Sequence, residues 1–175
     1  MTGARITHTL DDGDLAQRVQ ILGGVLRTGV LRAIGVGLVK TTQERFEDGR
    51  DPWGRSWAPL NPAYQEVKRG PKILQEAGMG GGLMGSLTFA TTGSRVTVGS
   101  NKVYAAIHQF GGTIRPVNAK ALVFRLGNGK GGKKGRVVHA KSVTIPARPY
   151  LGFGPMDRRE VMDVLDVFIR KTLSS

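Results

Sequence analysis

The order of helical and strand-like patterns predicts an α+β fold with a long N-terminal helix, strands in the middle and a C-terminal helix. Apolar residues recur at helical spacing from about residue 14 to 48, and again after residue 155. Between them, segments rich in Val, Ile and Phe are separated by glycine-containing turns, which is typical of antiparallel strands. The 175 residues have the length of one domain, residues 1–175.

The N-terminal helix is predicted from an apolar stripe with five glycines inside it. The stripe is formed by Leu15, Val19, Leu22, Leu26, Val30, Ile34, Leu38 and Phe46. Each glycine, at positions 23, 24, 29, 35 and 37, costs a helix interior roughly 1 kcal/mol. Their small size suits a close helix crossing or a subunit contact, and the alternative is a break near Gly29. Residues 1–12 precede the helix as a flexible arm or an edge strand.

The segment after this helix combines a turn with a run of aromatic residues. Asp51-Pro-Trp-Gly54 has the residue order of a type I turn. Trp53, Trp57 and Tyr64 lie in a proline-rich stretch that suits neither a helix nor a central strand. These aromatic residues either cover an edge of the core, which we favour, or belong to a subunit interface, where Trp and Tyr are enriched.

A strand pair and a short helix are predicted in the middle of the chain. Leu83 to Ala90 begins as a short helix or a strand, and its end is in phase to pair with the strand that starts at Arg95, across the turn at 91–94. Apolar residues at i, i+3, i+4 and i+7 predict a helix from Val103 to Phe110, ended by Gly111-Gly112. We expect the buried side of this unit to consist of Val96, Val98, Val103, Ile107 and Phe110.

A long basic hairpin is predicted between residues 121 and 145. Two segments rich in strand formers, 121–126 and 137–145, flank a Gly/Lys-rich tip at 127–136 that we expect to be flexible. The tip is a candidate contact with DNA or an acidic partner, and the alternative is a tolerated surface loop. The candidate contact residues are Lys130, Lys133, Lys134 and Arg136.

The C-terminal part begins with a stiff extended segment and ends in a helix. Ile145-Pro-Ala-Arg-Pro-Tyr150 is too proline-rich for a central strand. Pro155 suits the first position of a helix, and Asp157 and Glu160 lie near its positive dipole end. The buried face of this helix is predicted to be Val161, Val164, Leu165 and Phe168.

The charge of the chain is strongly positive and unevenly placed. The net charge is +13, and residues 67–150 hold 14 Lys and Arg residues but one acid, Glu76, so this segment carries the whole excess. Such asymmetry indicates a face that meets nucleic acid or an acidic protein, the alternative being a solvated basic surface. The chain has no cysteine, which excludes disulfides and thiolate metal sites, and no apolar run long enough to span a membrane.

Residues suited to catalysis are not grouped in the sequence. His8, His108 and His139 have neither the spacing of metal ligands nor a nearby carboxylate. Gly80 to Gly85 matches G-x-G-x-x-G formally, but no strand precedes it and no acid follows at the required distance, which argues against a dinucleotide cofactor. We therefore expect no enzymatic activity, no cofactor and no metal, and a packing role for His108.

Several short motifs, taken in order, resemble the phage virion morphogenesis, or tail completion, family of Mu-like and related tailed phages. The motifs are Arg45-Phe46, Asp51-Pro-Trp-Gly54 with Trp57 and Leu60, Gly-x-x-x-Ser-Leu at 82–87, Val96-Thr-Val-Gly-Ser100, Tyr104-Ala-Ala-Ile-His-Gln-Phe-Gly111 and Ile145-Pro-Ala-Arg-Pro-Tyr-Leu-Gly152. The resemblance implies an α+β fold in which the two helices pack on an antiparallel sheet.

The resemblance also implies a function and partners. It implies a structural protein that forms a homo-oligomeric ring of about six subunits. The partners of this ring would be adjacent neck or tail-tube proteins, and no membrane would be involved. The ring would complete or terminate the tail, or connect head and tail, in a virion assembled in the bacterial cytoplasm. Candidate interface residues are Trp53, Trp57, Tyr104, His108, Gln109, Arg148 and Tyr150. The other candidate function is a small nucleic-acid-binding module, which the charge suggests.

Overall fold

A computed structural model describes residues 5–6, 24–68, 70, 72–75, 82–127 and 135–174, and it has an α+β fold. The helices are α1 (Gly24–Asp48), α2 (Pro62–Gln65), α3 (Gly82–Gly85), α4 (Ala105–Phe110) and α5 (Pro155–Leu173). The strands are β1 (Arg5–Ile6), β2 (Leu87–Thr92), β3 (Arg95–Ser100), β4 (Gly112–Ile114), β5 (Leu122–Leu126), β6 (Arg136–Ala140) and β7 (Val143–Ile145). The first part of the predicted N-terminal helix, residues 14–23, and the tip residues 128–134 lie outside the described ranges.

Helix α1 runs without a break through Gly29, Gly35 and Gly37, so the close-contact interpretation of the glycines is correct. A Cβ at Gly37 would lie 2.6 Å from Cγ of Glu160 on α5, and a Cβ at Gly35 would overlap the ring of Phe89 on β2. The absent side chains therefore allow α1 to approach both α5 and the sheet. This close approach offsets the low helix propensity of glycine.

The central sheet has the antiparallel order β1-β3-β2. Its main hairpin has the predicted pairing, with Phe89 opposite Val98 and Thr91 opposite Val96 across the turn at Gly93. Residues 5–6 form an edge strand beside Gly99 and Val98. The segment at 83–90 contains both structures that its sequence allows, because helix α3 leads directly into β2.

The remaining strands form two further sheets instead of extending the central one. Strand β5 pairs with β6, from Leu122 opposite Ala140 to Leu126 opposite Arg136, which confirms the pairing of a hairpin. The second predicted strand, 137–145, is interrupted after Ala140, and its last part is β7, which pairs with β4. The described residues thus contain three small antiparallel sheets.

The predicted buried side of α4 is wrong. The helix begins at Ala105, and its buried residues are Ala105 and Gln109. Val103 and Phe110 are 75% and 65% exposed. The reason is tertiary, because the amide of Gln109 bonds to the backbone of the extended segment before α5 and turns this face of the helix inward.

The core consists of two hydrophobic clusters. One lies between α1 and α5 and is formed by Val30, Ile34, Val161 and Leu165, which confirms the predicted inner face of α5. The other is formed by Phe46, Trp57, Leu74, Leu83, Leu87, Ala105, Tyr150 and Leu151. The ring of Phe46 lies 5.4 Å from Trp57 and 5.3 Å from Tyr150 between centroids, so Trp57 is a core residue.

Candidate assembly interface

A buried ion pair joins the C-terminal half of α1 to the first turn of α5. Arg45 and Asp157 are 4% and 1% exposed, and the Arg45 guanidinium donates to the Asp157 carboxylate. Thr41 Oγ1 also donates to Asp157 at 2.6 Å, as does the backbone N–H of Gly154 at 2.7 Å. The other guanidinium nitrogen of Arg45 donates to the carbonyl of Tyr150 at 2.9 Å. We call this group, Thr41, Arg45, Tyr150 carbonyl, Gly154 N–H and Asp157, the polar junction.

The polar junction satisfies both charges by direct partners, which is the condition under which a buried ion pair can be tolerated. Asp157 acts in two ways, as the partner of Arg45 and as the cap of α5 through the Gly154 N–H. From the sequence alone, Asp157 is assigned only to the helix dipole, and Arg45 has no predicted role. The sequence does contain a signal for a role of Arg45, because this cation lies directly before Phe46 at the end of the apolar stripe of α1.

Side-chain hydrogen bonds hold the proline-rich segment 145–151 in place. Gln109 Oε1 accepts from the N–H groups of Tyr150 and Leu151 at 3.0 and 2.9 Å, and its Nε2 donates to the Leu151 carbonyl at 2.8 Å. Trp57 Nε1 donates to the Pro149 carbonyl at 2.8 Å. An extended segment that has no strand partner at these residues is thus paired through side chains.

Arg148 fastens the same segment to the aromatic stretch. Its guanidinium donates to the carbonyls of Ala58 and Pro59, each at 2.8 Å, and its backbone N–H donates to the His108 carbonyl at 2.7 Å. Burial lowers the pKa of Arg148, and burial raises the pKa of the Tyr150 hydroxyl, which donates to the Ala105 carbonyl at 3.3 Å.

The burial of these side chains corrects part of the predicted subunit interface. Trp57, Gln109, Arg148 and Tyr150 are buried inside the chain and have almost no surface to offer a neighbour. Their role within one chain is to position segment 145–151. Trp53 is exposed, and Tyr104 and His108 are half-buried, with their rings edge to face at 6.0 Å. For these three residues the subunit interface stays a prediction.

The surface of the described chain carries several large apolar residues. Val103, just before α4, and Phe110, at the end of α4, are exposed, as noted above. On strands β5 and β6, which we call the hairpin stem, Val123 and Val137 are 63% and 44% exposed. On α5, Val167 is 64% exposed. Single exposed apolar residues are common on any protein surface, and only a contiguous group of them indicates a binding site.

Most of the basic residues of the middle segment that the structure describes are also exposed. Arg95, Arg115, Lys120, Arg125, Arg136 and Lys141 are all exposed. Of the predicted tip contacts, Arg136 lies at the first position of β6, while Lys130, Lys133 and Lys134 lie outside the described residues. The hairpin therefore presents positive charge at the end nearest its tip.

The described parts of the chain give little support for a metal site or for a membrane-spanning helix. There, no cluster of three or more His, Asp or Glu residues could hold a metal ion. Within the same ranges, no helix has both the length and the apolar character needed to cross a membrane. The described residues instead show an interior held by an ion pair and side-chain hydrogen bonds, and a surface with basic and apolar side chains.

Comparison with known proteins identifies the family to which the chain belongs. The model of the phage virion morphogenesis family matches residues 13–169. The chain belongs to this family, as its motif order predicted, and membership gives it a role in the assembly of phage particles.

Relatives of known source support the assignment along nearly the full chain. Putative capsid assembly protein G of Escherichia phage Mu is 28% identical over 172 residues, covering 91% of this chain and 90% of that protein. The Mu-like prophage FluMu G protein 2 of Haemophilus influenzae is 29% identical over 81% of this chain and 78% of its own length. FluMu G protein 1 of the same organism is 28% identical, with 92% of each covered. No solved structure matches the chain.

Proposed function

We propose that this protein is a non-enzymatic structural component of a tailed phage that forms a homo-oligomeric ring of about six subunits at the head–tail junction or at the head-proximal end of the tail. In this role it completes or terminates the tail, or connects the neck, beside adjacent neck or tail-tube proteins. The observation that carries the proposal is the match of residues 13–169 to a family of virion morphogenesis proteins. The name of the phage Mu relative refers to particle assembly as well.

The surface of the chain supports a role in assembly over a role as a free monomer. Val123 and Phe110 are largely exposed, on two different elements. Exposed apolar side chains can be covered when subunits associate. The interior, by contrast, is held in one arrangement by the polar junction and by the hydrogen bonds of Gln109. Each subunit therefore has a defined shape for contact with its neighbours.

The basic middle segment suits a ring whose lumen carries DNA. Six exposed Lys and Arg side chains, from Arg95 to Lys141, lie on its described part, and the sequence from residue 77 to 156 contains no acid. Repetition around a ring would turn this segment into a continuous positive band. A band of that kind would attract the phosphate backbone without reading base sequence.

Deletion of the gene from its phage tests the proposal. We expect separate filled heads and tails, or tails of abnormal length, in electron micrographs of lysates. Complementation with the wild-type gene from a plasmid is the control and should restore joined particles. Normal infectious particles from the deletion would contradict the proposed function.

The tip of the hairpin is tested separately by a fourfold change of Lys130, Lys133, Lys134 and Arg136 to Ser. We expect fewer complete particles and an unchanged unfolding transition, because these residues lie in the tip or at its border. The control exchanges the same residues for the other cation, with Lys→Arg at three positions and Arg136→Lys. An unchanged particle yield in the Ser variant would indicate a tolerated loop.

The charge also favours a second function, a nucleic-acid-binding module that works alone. The net charge of +13 is the observation behind it. The purified protein would then bind duplex DNA tightly, and its affinity would fall steeply with added salt. Weak binding by the free protein together with a defect in particle assembly would argue against this alternative.

A further inference from the structure

The two smaller sheets belong to one antiparallel ribbon that is interrupted in the middle. Strand β4 leads through residues 115–121 into β5, and β6 leads through residues 141–142 into β7. Since β4 pairs with β7 and β5 pairs with β6, the four strands form two consecutive ladders of the same ribbon. We call the two connections, 115–121 and 141–142, the ribbon interruption. Val117, in the longer connection, is 93% exposed, so this connection projects into solvent.

Three cations converge at the ribbon interruption. Arg115 directly follows β4, Lys120 lies two residues before β5, and Lys141 directly follows β6. The last pair of one ladder and the first pair of the next hold the two connections beside each other. From this register, at most roughly 17 Å separates the Cα atom of Lys141 from that of Arg115 or Lys120. The long side chains of the three residues can therefore reach one common partner.

These cations have no partner of opposite charge within the described chain. All three are exposed, and none of them forms an ion pair with a described residue, whereas Arg45 and Lys72 pair with Asp157 and Glu47. The sequence from residue 77 to 156 contains no acid that could supply a partner. Like charges repel each other over the Debye length, which is about 10 Å at 0.1 M salt. The convergence therefore does not stabilise the isolated chain, but it favours the binding of an anion.

The composition of the ribbon interruption indicates which anion fits. The longer connection contains Pro116, Asn118 and two alanines, and Val117 is its single large apolar residue. An interface with an acidic protein usually has a core of aromatic or other large apolar side chains, which this connection does not supply. Duplex DNA carries one negative charge for about every 1.7 Å of its axis, and cations bind its phosphates without an apolar core. The phosphate backbone of DNA is therefore the partner that this surface fits.

We propose that the ribbon interruption binds the phosphate backbone of duplex DNA through Arg115, Lys120 and Lys141. The inference deepens the proposed function and rests on it, because it assigns the DNA contact of the ring to one place on each subunit. This place differs from the hairpin tip, which lies at the opposite end of the stem. Phosphate contacts of this kind position the DNA and do not read its base sequence.

Binding of random-sequence duplex DNA to the purified full chain tests the site. One variant combines Arg115→Gln, Lys120→Gln and Lys141→Gln. Its matched control removes the same charge from exposed positions on α1 and α5, with Arg32→Gln, Arg159→Gln and Arg170→Gln. We expect the slope of log affinity against log salt to become shallower by about 3 in the first variant and by less than about 1 in the control. Equal changes in both, or no binding by the wild type at low salt, would overturn the proposal.

Photo-cross-linking tests the same contact within assembled particles. The chain has no cysteine, so Val117→Cys provides a single attachment point for an aryl azide beside the three cations. Because Val117 is 93% exposed, its replacement removes little packing. We expect irradiation to join the protein covalently to the DNA of the particle. Val167→Cys, at an exposed position on α5, is the control and should give no adduct with DNA.

Three results of the photo-cross-linking would overturn the contact. They are an adduct of Val117→Cys only with another particle protein, equal DNA adducts from the two variants, and no DNA adduct from either. The outcome also separates this inference from the proposed function. Complete particles that carry the labelled Val117→Cys protein without a DNA adduct would refute this site alone, whereas normal infectious particles after deletion of the gene would refute the proposed function as well.

Discussion

The polar junction and the hairpin stem are opposites, because one places charged residues in the interior and the other places apolar residues at the surface. In the junction, the charged pair Arg45 and Asp157 lies in the interior and every charge has direct partners. In the stem, apolar residues such as Val123 lie at the surface and the strands support chiefly each other. The charges of the junction are paired within one chain, whereas no residue of the stem is fully buried in the described structure.

This difference separates folding from assembly. Polar groups buried with exact partners restrict the chain to one arrangement of α1, α5 and segment 145–151. Apolar groups left at the surface add little to the stability of the monomer and are available for association. Substitutions in the junction should therefore affect unfolding, and those in the stem should affect assembly.

The largest expected effect on stability follows from Asp157→Ala. The change leaves the Arg45 guanidinium buried without its carboxylate and removes the cap from the Gly154 N–H. Loss of one partner of a buried ion pair costs about 3–5 kcal/mol. Chemical denaturation measures the difference in the free energy of unfolding.

The matched control for the junction is Asp163→Ala, which removes an exposed carboxylate from the same helix. Its effect on stability should stay within about 0.5 kcal/mol. Equal losses for the two variants would contradict the importance of the junction.

A smaller loss is expected from Gly35→Ala. The new Cβ would overlap the ring of Phe89, so the helix or the strand must shift, at a cost of about 1–3 kcal/mol. Gly29→Ala is the matched variant, because within the described residues its Cβ meets only Phe168, at an ordinary 3.7 Å. That variant should stabilise the protein by up to about 1 kcal/mol through helix propensity. Thermal unfolding distinguishes the two, and a gain in both would show that α1 and β2 are not closely packed.

The buried hydroxyl of Tyr150 should make stability depend on alkaline pH. Burial raises its pKa above the ordinary value of 10.0, which the unfolded chain retains. Its contribution is therefore complete below pH 10.0 and is lost as the pH rises above that value, because the unfolded state releases the proton first. The loss is at most about 1.4 kcal/mol for each pH unit.

Tyr150→Phe removes the ionisable group and tests this dependence. We expect the variant to lose about 1 kcal/mol at neutral pH, with the hydrogen bond to Ala105, and to show a smaller alkaline decline than the wild type. Urea unfolding at several pH values measures both. Identical alkaline slopes would mean that Tyr150 does not resist ionisation in the folded protein.

The smallest effect on stability is expected in the stem, from the double change of Val123 and Val137 to Ser. Val123 and Val137 are 63% and 44% exposed, so the free energy of unfolding should change by no more than about 0.5 kcal/mol for each. Oligomer formation and particle yield should nevertheless fall. Val103→Ser, at an exposed position just before α4, is the control for a general loss of surface hydrophobicity. A large loss of stability would show that the stem is part of the folding core.

Much of the fold was predictable because its signals are local. The inner face of α5, the pairing of Phe89 with Val98 and the turn at 51–54 each depend on the spacing of nearby residues. The family was predictable for a related reason, since its motifs are short and keep their order along the chain. The candidate interface was less predictable, because Gln109 and Arg148 resemble surface residues in composition yet bond to distant backbone groups.

The sequence by itself determined the α+β class, the two main helices, the principal strand pair, the family and the concentration of positive charge in the middle segment. Only the tertiary structure decided which face of α4 is buried and that Arg45 meets Asp157 across 112 positions. It also decided that the apolar residues of the stem are exposed or only half-buried. The reason is physical: periodicity records that a residue is apolar, whereas burial and polar pairing depend on which distant groups the fold brings beside it.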